Sequence, residues 1–483
     1  MSPSSGDLAR AGAHGAMWQG LAFASGRLIV LVTTIVLARL LSPHEYGLVA
    51  LALVLMMYAE TIADAGVAQA LIYLPGTGVV ARSALLLSLS LGAVLASAIV
   101  LGAPWVAALF GLPQVAPLVQ VLGLSIFATA CGAVPEALLR RNLEFKKLTA
   151  GPVVRAAVMG SVTLLMAFQG YGAWSLAVGT AAGSVAYAVT CWFLLGKAAP
   201  WEIWRVSKKA LRANLRFGAP VAGSNLLARL IFDVDYLIIG LLLGAQALGY
   251  YTLAFRLPEA LILNVFFVLS TVLFPLYTQV SGDPGRLRDG YLKSVQIQSL
   301  YGLTAGVGLA VLAPVLVPLL FGDQWGDAVI PLVLLALYAA ARSLGAGAND
   351  VYKALGRPGL SIGISVIRLA VLVPALFLAA QWGIVGVASA QLVLAVIFAA
   401  GMQGVAARVM QIRVRRLMRA AGPGLFCGAA VAVAGLVVLA LPVLGSIATV
   451  VLVVAVAVAL VYAILRLAYR PLHDELLQLV RFR

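Results

Sequence analysis

Apolar residues run through this chain in long blocks, broken at regular intervals by charged or Pro/Gly-rich stretches. The blocks predict helices over 16–38, 46–68, 82–103, 115–136, 150–168 and 171–195, then over 217–241, 249–274, 291–318, 329–348, 359–380 and 383–405, with a last pair over 420–442 and 445–467. A spanning helix needs about 20 apolar residues, and fourteen of them with short connections account for all 483 residues. The expected fold is therefore an all-α integral membrane protein with about fourteen transmembrane helices.

The expected organisation is a six-helix bundle over 1–196, a basic cytoplasmic linker over 197–216 and a second six-helix bundle over 217–405. A basic cytoplasmic loop over 406–419, the last helix pair over 420–467 and a cytoplasmic tail over 468–483 follow. The apolar run after the first fifteen residues is too long for a signal sequence and has no small-x-small cleavage site, so it is expected to stay as a helix. Trp201 and Trp204 beside Lys208 and Lys209 suit an interfacial helix, as does the segment from Leu472 to Arg483.

The two sixes have the character of a parallel repeat. Arg27-Leu28-Ile29 recurs as Arg229-Leu230-Ile231, and Leu40-Leu41 with Gly47 recurs as Leu242-Leu243 with Gly249, at one offset. Phe110-Gly111 answers Phe321-Gly322, and Pro117-Leu118-Val119 answers Pro331-Leu332-Val333. Transporters commonly move two such halves around a central site.

Composition agrees with the pattern: 63% of residues are hydrophobic and 10% charged, against about 25% charged in soluble domains. The net charge of +16 would point to nucleic acid if it formed one face or tail. Instead the basic residues alternate. Even-numbered connections carry Arg82; Arg140, Arg141, Lys146 and Lys147; Lys197 through Arg216; Arg286, Arg288 and Lys293; Lys353 and Arg357; and Arg408 through Arg419, whereas odd-numbered ones hold only Arg39. The positive-inside rule then places both termini in the cytoplasm, and the charge reads as an orientation signal with no nucleic-acid partner.

Cys131, Cys191 and Cys427 lie far apart in apolar stretches without a CxxC pattern, which fits small buried hydrophobes better than a disulfide or metal site. The chain carries no P-loop, GxSxG or HExxH, and His14, His44 and His473 are isolated near helix ends. No catalytic residue, metal or cofactor is expected.

Ionisable groups inside the bilayer cost at least about 2.5–3.5 kcal/mol on insertion scales, so they face a wet cavity or a partner. Counted from the outer helix ends, Arg27, Arg229, Arg342 and Arg368 fall within about one turn of a common depth. With Arg256 they form a candidate cationic cavity, because guanidinium grips phosphate with paired hydrogen bonds. A plainer alternative stands for three of them. Arg229 has Asp233 one turn away, Arg256 has Glu259 three residues on, and Arg27 is level with Glu60. Arg342 and Arg368 have no acid within a turn on their own helices.

Glu60 and Asp64 are four apart and share a helix face, where two like charges in a low-dielectric site favour one holding a proton. They are candidate ion-coupling groups. Asp233 and Asp235 offer a second pair in the matching helix, although Asp233 also serves to neutralise Arg229.

The stretch Ala38-Arg39-Leu40-Leu41-Ser42-Pro43-His44-Glu45-Tyr46-Gly47, followed by Asp64-Ala65-Gly66-Val67-Ala68-Gln69-Ala70-Leu71-Ile72, resembles the polysaccharide transport family, the Wzx-type flippases of the MOP exporter superfamily. Arg140-Arg141-Asn142-Leu143-Glu144-Phe145 is similar to the family's cytoplasmic R-R-x-[ML]-x-F motif.

The resemblance implies a bacterial inner-membrane flippase that moves undecaprenyl-diphosphate-linked oligosaccharide repeat units to the periplasmic leaflet by alternating access. Exopolysaccharide, capsule or O-antigen (lipopolysaccharide) assembly would use it, with polymerase and chain-length components as further partners beside membrane lipids. It also implies that the last two helices line a path for the lipid tail, with the plainer alternative that they fill out the bundle. Two other functions compete. A multidrug exporter of the same superfamily would have twelve helices and a cavity rich in acids, and a membrane enzyme on the same lipid would need a large outer loop with catalytic acids.

Overall fold

The computed structural model describes residues 26, 29–64, 66–73, 78–142, 144–196, 206–440 and 445–474. Among these residues every regular element is helical. Arg27, the Lys197–Arg205 half of the basic linker with Trp201 and Trp204, and the tail beyond Asp474 lie outside them.

The first half of the chain forms α1 (Ile29–Leu40), α2 (Pro43–Asp64), α3 (Val67–Tyr73), α4 (Gly78–Leu109), α5 (Val115–Arg141), α6 (Phe145–Phe168), α7 (Ala173–Leu195) and α8 (Lys208–Leu242). The second half follows as α9 (Gly244–Pro258), α10 (Asn264–Val280), α11 (Pro284–Phe321), α12 (Val329–Ser343), α13 (Ala346–Ala354), α14 (Pro358–Ala379), α15 (Gly383–Met410), α16 (Val414–Leu439) and α17 (Ser446–Ala468).

Eleven stretches are long and apolar enough to cross a bilayer, and one of them, Pro358–Met410, holds two helices. The α8 helix, which carries Arg229, Asp233 and Asp235, and the short apolar α1 overlap the two remaining expected helices without themselves reaching that length and apolarity. Each of the fourteen expected crossings thus has its helix, and the protein is an all-α, multi-pass membrane protein.

The chain packs as two compact units, residues 1–249 and 250–483. In the first, α4 packs on α5, α5 on α7 and α6 on α7, while α2 lies against α5 and α8. With lipid outside, burial of apolar surface does little to hold such helices together; close backbone approach does. Gly179 and Gly183 of α7 supply that approach, because a Cβ at either position would strike Met159 or the Arg155 carbonyl of α6. Ser88 Oγ donates to the Ala130 carbonyl at 2.9 Å, tying α4 to α5.

The segment Ser42-Pro43-His44-Glu45 starts α2 with a capping box. The Ser42 amide donates to Glu45 Oε2 at 2.9 Å and the Glu45 amide to Ser42 Oγ at 3.3 Å, satisfying two donors that the first turn would otherwise orphan. Pro43 occupies the first helical position, where no N–H is needed. At the other end of the unit, Arg141 donates to the Leu71 carbonyl at 3.0 Å and so closes α3.

The second unit is built around α11, which packs on α12 and α16. Asp283 caps α11 by accepting from the Gly285 and Arg286 amides at 2.9 and 3.1 Å. Between α9 and α10 the helix widens into one π turn, Glu259–Leu263, directly after Pro258. Proline lacks the N–H that an α turn would use, and the wider turn absorbs the defect.

The α12 and α13 helices are separate because the chain breaks at Leu344-Gly345. A carbonyl freed inside a bilayer must find a donor. The Gln403 side-chain amide of α15 gives one to the Leu344 carbonyl, while its Oε1 accepts from the buried Tyr291 hydroxyl at 2.7 Å.

Candidate functional site

In the first unit, α2 and α8 lie side by side and open a cleft of about 460 Å³ lined by Met57, Glu60, Thr61, Asp64, Asn225, Ala228, Arg229 and Phe232. Three of the sequence-derived candidates, Glu60, Asp64 and Arg229, therefore share one wall-to-wall space. The Arg229 guanidinium forms an ion pair with Asp233 on its own helix and reaches Met57 Sδ. Asp235 points elsewhere: it is 2% exposed, and its Oδ1 accepts from the Tyr236 amide at 3.0 Å.

Glu60 has a partner that sequence reading missed. Arg155 of α6 reaches Glu60 Oε1 at 3.4 Å, and Thr129 Oγ1 of α5 donates to the same oxygen at 2.9 Å. Arg155 also lies over the Tyr187 ring, 5.9 Å from its centroid, and the Tyr187 hydroxyl bonds Glu136, which pairs with Arg140 at 2.8 Å. Acid and base thus alternate through the unit from Glu60 to Arg140.

A signal for Arg155 exists in the sequence. Placing the helix start at 150 leaves Arg155 near an edge. With the start at Phe145, it lies 13 residues from the Phe168 end, the same distance as Arg229 from the Leu242 end.

The remaining arginines belong to the second unit. Arg256 pairs with Glu259 at 3.7 Å, across the junction into the π turn. Arg342 donates to the Tyr338 hydroxyl at 2.5 Å and stacks over that ring, in the last turn of α12, where the helix dipole favours a cation. Arg368, midway along α14, has a buried Nε with no hydrogen-bond partner among the described residues. Such a donor is costly to leave unmet, which marks Arg368 as a place for an acceptor. Asp350 is 3% exposed and accepts from Ser270 Oγ at 2.6 Å. Among the described residues, no group of three or more His, Cys, Asp or Glu could hold a metal ion.

The profile of the polysaccharide biosynthesis protein family matches residues 36–330, more than half of the chain. The chain belongs to that family. It is a multi-pass membrane protein of that family. It is similar to the lipopolysaccharide biosynthesis protein WzxC of Escherichia coli K12, 27% identical over 77% of this chain and 76% of the relative. It is also similar to the succinoglycan biosynthesis transport protein ExoT of Rhizobium meliloti 1021, 28% identical over 63% and 62%. Among solved structures, the lipid II flippase MurJ in an inward closed conformation superposes with a TM-score of 0.77 at 14% identity, covering 94% of this chain and 99% of that one. That likeness shows the fold.

For this family member, the resemblance read from the motifs at Ala38–Gly47 and Asp64–Ile72 is borne out. The first motif has a structural explanation in the capping box and in the close approach made by Gly47. A Cβ on Gly47 would collide with the Ala245 carbonyl. The first motif builds a turn and a crossing and supplies none of the cleft's lining residues, whereas Asp64, which opens the second, lines it.

Proposed function

We propose that the chain is a flippase carrying polyprenyl-diphosphate-linked oligosaccharide repeat units from the cytoplasmic to the periplasmic leaflet of a bacterial inner membrane. Alternating access of two bundles, with both termini cytoplasmic, moves the unit; no bond is made or broken. The observation that carries the reading is the set of guanidiniums held inside membrane helices of a polysaccharide biosynthesis family member, above all Arg368 with its unmet donor. A diphosphate supplies the acceptors that such donors lack, and Arg binds it in a bidentate manner.

In this reading Arg27, Arg229, Arg256, Arg342 and Arg368 contact the diphosphate or acidic sugars. Glu60, Asp64, Asp233 and Asp235 couple the movement to an ion gradient. The cleft at Glu60, Asp64 and Arg229 supports such coupling, since an acid pair and a base share one opening. A polymerase and chain-length components would receive the product.

The test is transfer in liposomes holding the purified protein and a fluorescent undecaprenyl-diphosphate oligosaccharide. Time-dependent loss of the label from one leaflet, with the lipid recovered chemically unchanged, is the expected result. Failure to move this lipid, together with export of cationic drugs by the same vesicles, would show a multidrug exporter instead. Recovery of an altered or lengthened oligosaccharide would show an enzyme.

A further inference from the structure

We infer that the charged ends of α16 and α17 form a binding site for an anionic phospholipid of the surrounding leaflet, separate from the transport cleft. Between Asp350 and Asp474 the sequence holds no acidic residue, while Arg413, Arg415, Arg416, Arg419, Arg466 and Arg470 cluster at these two helix ends. All six are exposed, and none makes an ion pair or side-chain hydrogen bond among the described residues. Asp474 follows Arg470 by four residues and is held by His473 at 3.0 Å; further acids stand on the first turns of α11, whose Arg288 donates to the Met410 carbonyl at 2.5 Å. There Asp283 is occupied in capping α11 and in pairing with Arg286, leaving Asp289.

Packing brings the two helix ends that carry these arginines together. Arg415, Arg419, Gly422 and Phe426 follow one another at four-, three- and four-residue steps and share a face of α16. The Tyr469 hydroxyl at the end of α17 lies 3.7 Å from the position a Gly422 Cβ would take. Tyr469 stands between Arg466 and Arg470 in sequence, so both helices deliver their cations to this crossing. Beneath it Cys427, Leu465 and Leu472 form a buried apolar cluster with Leu300 that holds the helix ends in place.

The surroundings say which anion fits. Val414, Met418, Phe426 and Leu467 are 60–76% exposed beside the arginines. Large side chains exposed in this way, on helices apolar enough to span, face acyl chains. A ligand here must present phosphate to guanidinium and hydrocarbon to this surface at once, as a phospholipid does. Six cations around one crossing match a headgroup with two phosphodiesters, such as diphosphatidylglycerol, better than a zwitterion, and each basic residue near an anionic surface adds to the attraction.

The test uses the purified full-length protein and titrates diphosphatidylglycerol, phosphatidylcholine and, separately, undecaprenyl diphosphate, with native mass spectrometry as the readout. The variants are R415Q/R419Q/R466Q/R470Q and the same four positions as Lys, with R286Q as a control outside the cluster. Wild type is expected to bind diphosphatidylglycerol at least about tenfold more tightly than phosphatidylcholine. The Gln variant should lose roughly that factor, the Lys variant should keep most of it, and R286Q should match wild type. Undecaprenyl diphosphate binding should be unchanged by the Gln variant. Equal diphosphatidylglycerol binding by wild type and the Gln variant overturns the inference. So does loss of undecaprenyl diphosphate binding with phospholipid binding intact, which would make the cluster part of the transport path. If the Gln variant does not fold, R466Q/R470Q alone must give a smaller loss of the same kind, and no loss there also overturns it.

Discussion

Gly47 and Gly249 cross each other backbone to backbone. The position of a Gly47 Cβ lies 2.9 Å from the Gly249 amide nitrogen, and the position of a Gly249 Cβ lies 3.2 Å from that of Gly47. Each also faces a carbonyl four residues before the other glycine, Ala245 for Gly47 and Pro43 for Gly249. Both pairs are 202 residues apart, the offset at which Arg27-Leu28-Ile29 recurs as Arg229-Leu230-Ile231. The internal likeness in the sequence therefore reappears as a reciprocal contact.

Neither backbone can retreat without moving a helix start, so Gly47→Ala or Gly249→Ala is expected to cost about 1–3 kcal/mol as overpacking. Thermal unfolding followed by size-exclusion chromatography should show both variants melting several degrees below wild type. Gly102→Ala, where a Cβ meets nothing within 4 Å, should not shift.

The Ser42–Glu45 box starts the same helix. Ser42→Ala removes the side-chain acceptor of the Glu45 amide, and the usual loss for such a cap is about 0.5–2 kcal/mol. Ser42→Asp, which keeps an acceptor, should restore most of the melting temperature. A drop as large with Asp as with Ala would argue against the cap.

Arg155 and Glu60 are 30% and 22% exposed, so water screens them only in part. Among the described residues, Arg155→Ala leaves Glu60 with the Thr129 hydroxyl alone, and Glu60→Gln leaves Arg155 over the Tyr187 ring. Each single change is expected to destabilise by about 1–3 kcal/mol, and the double variant by less than the sum. A double-mutant cycle on melting curves measures the coupling. A coupling energy of zero would remove the pair from the account.

Arg368→Ala and Arg342→Ala should each lower transfer of the lipid-linked oligosaccharide at least about tenfold while leaving the melting temperature within a few degrees. Arg368→Lys keeps the charge but not the planar fork and should fall between. Full transfer by the double Ala variant would take both residues out of the site.

At the helix break, Gln403→Leu deprives the Leu344 carbonyl of its donor and the Tyr291 hydroxyl of its acceptor. An unmet buried polar group costs about 1–3 kcal/mol. Hydrogen exchange should rise at residues 343–347 in this variant and stay at the wild-type level in α16.

Much of this protein was legible in its sequence because the bilayer is an unforgiving solvent. Length and apolarity alone set the fourteen helices, and charge set apart the residues that lipid tolerates least, Glu60, Asp64, Arg229, Asp233, Arg342 and Arg368. The family motifs were legible too, since a capping box and a glycine crossing are local demands on residue type.

Tertiary structure decided partnership. Glu60 meets Arg155 and Thr129 from two other helices, Arg229 turns to Asp233, and Arg368 keeps a donor unmet among the described residues. Periodicity along one helix says how deep a charge lies. Only the packing of its neighbours says which way it faces and what answers it.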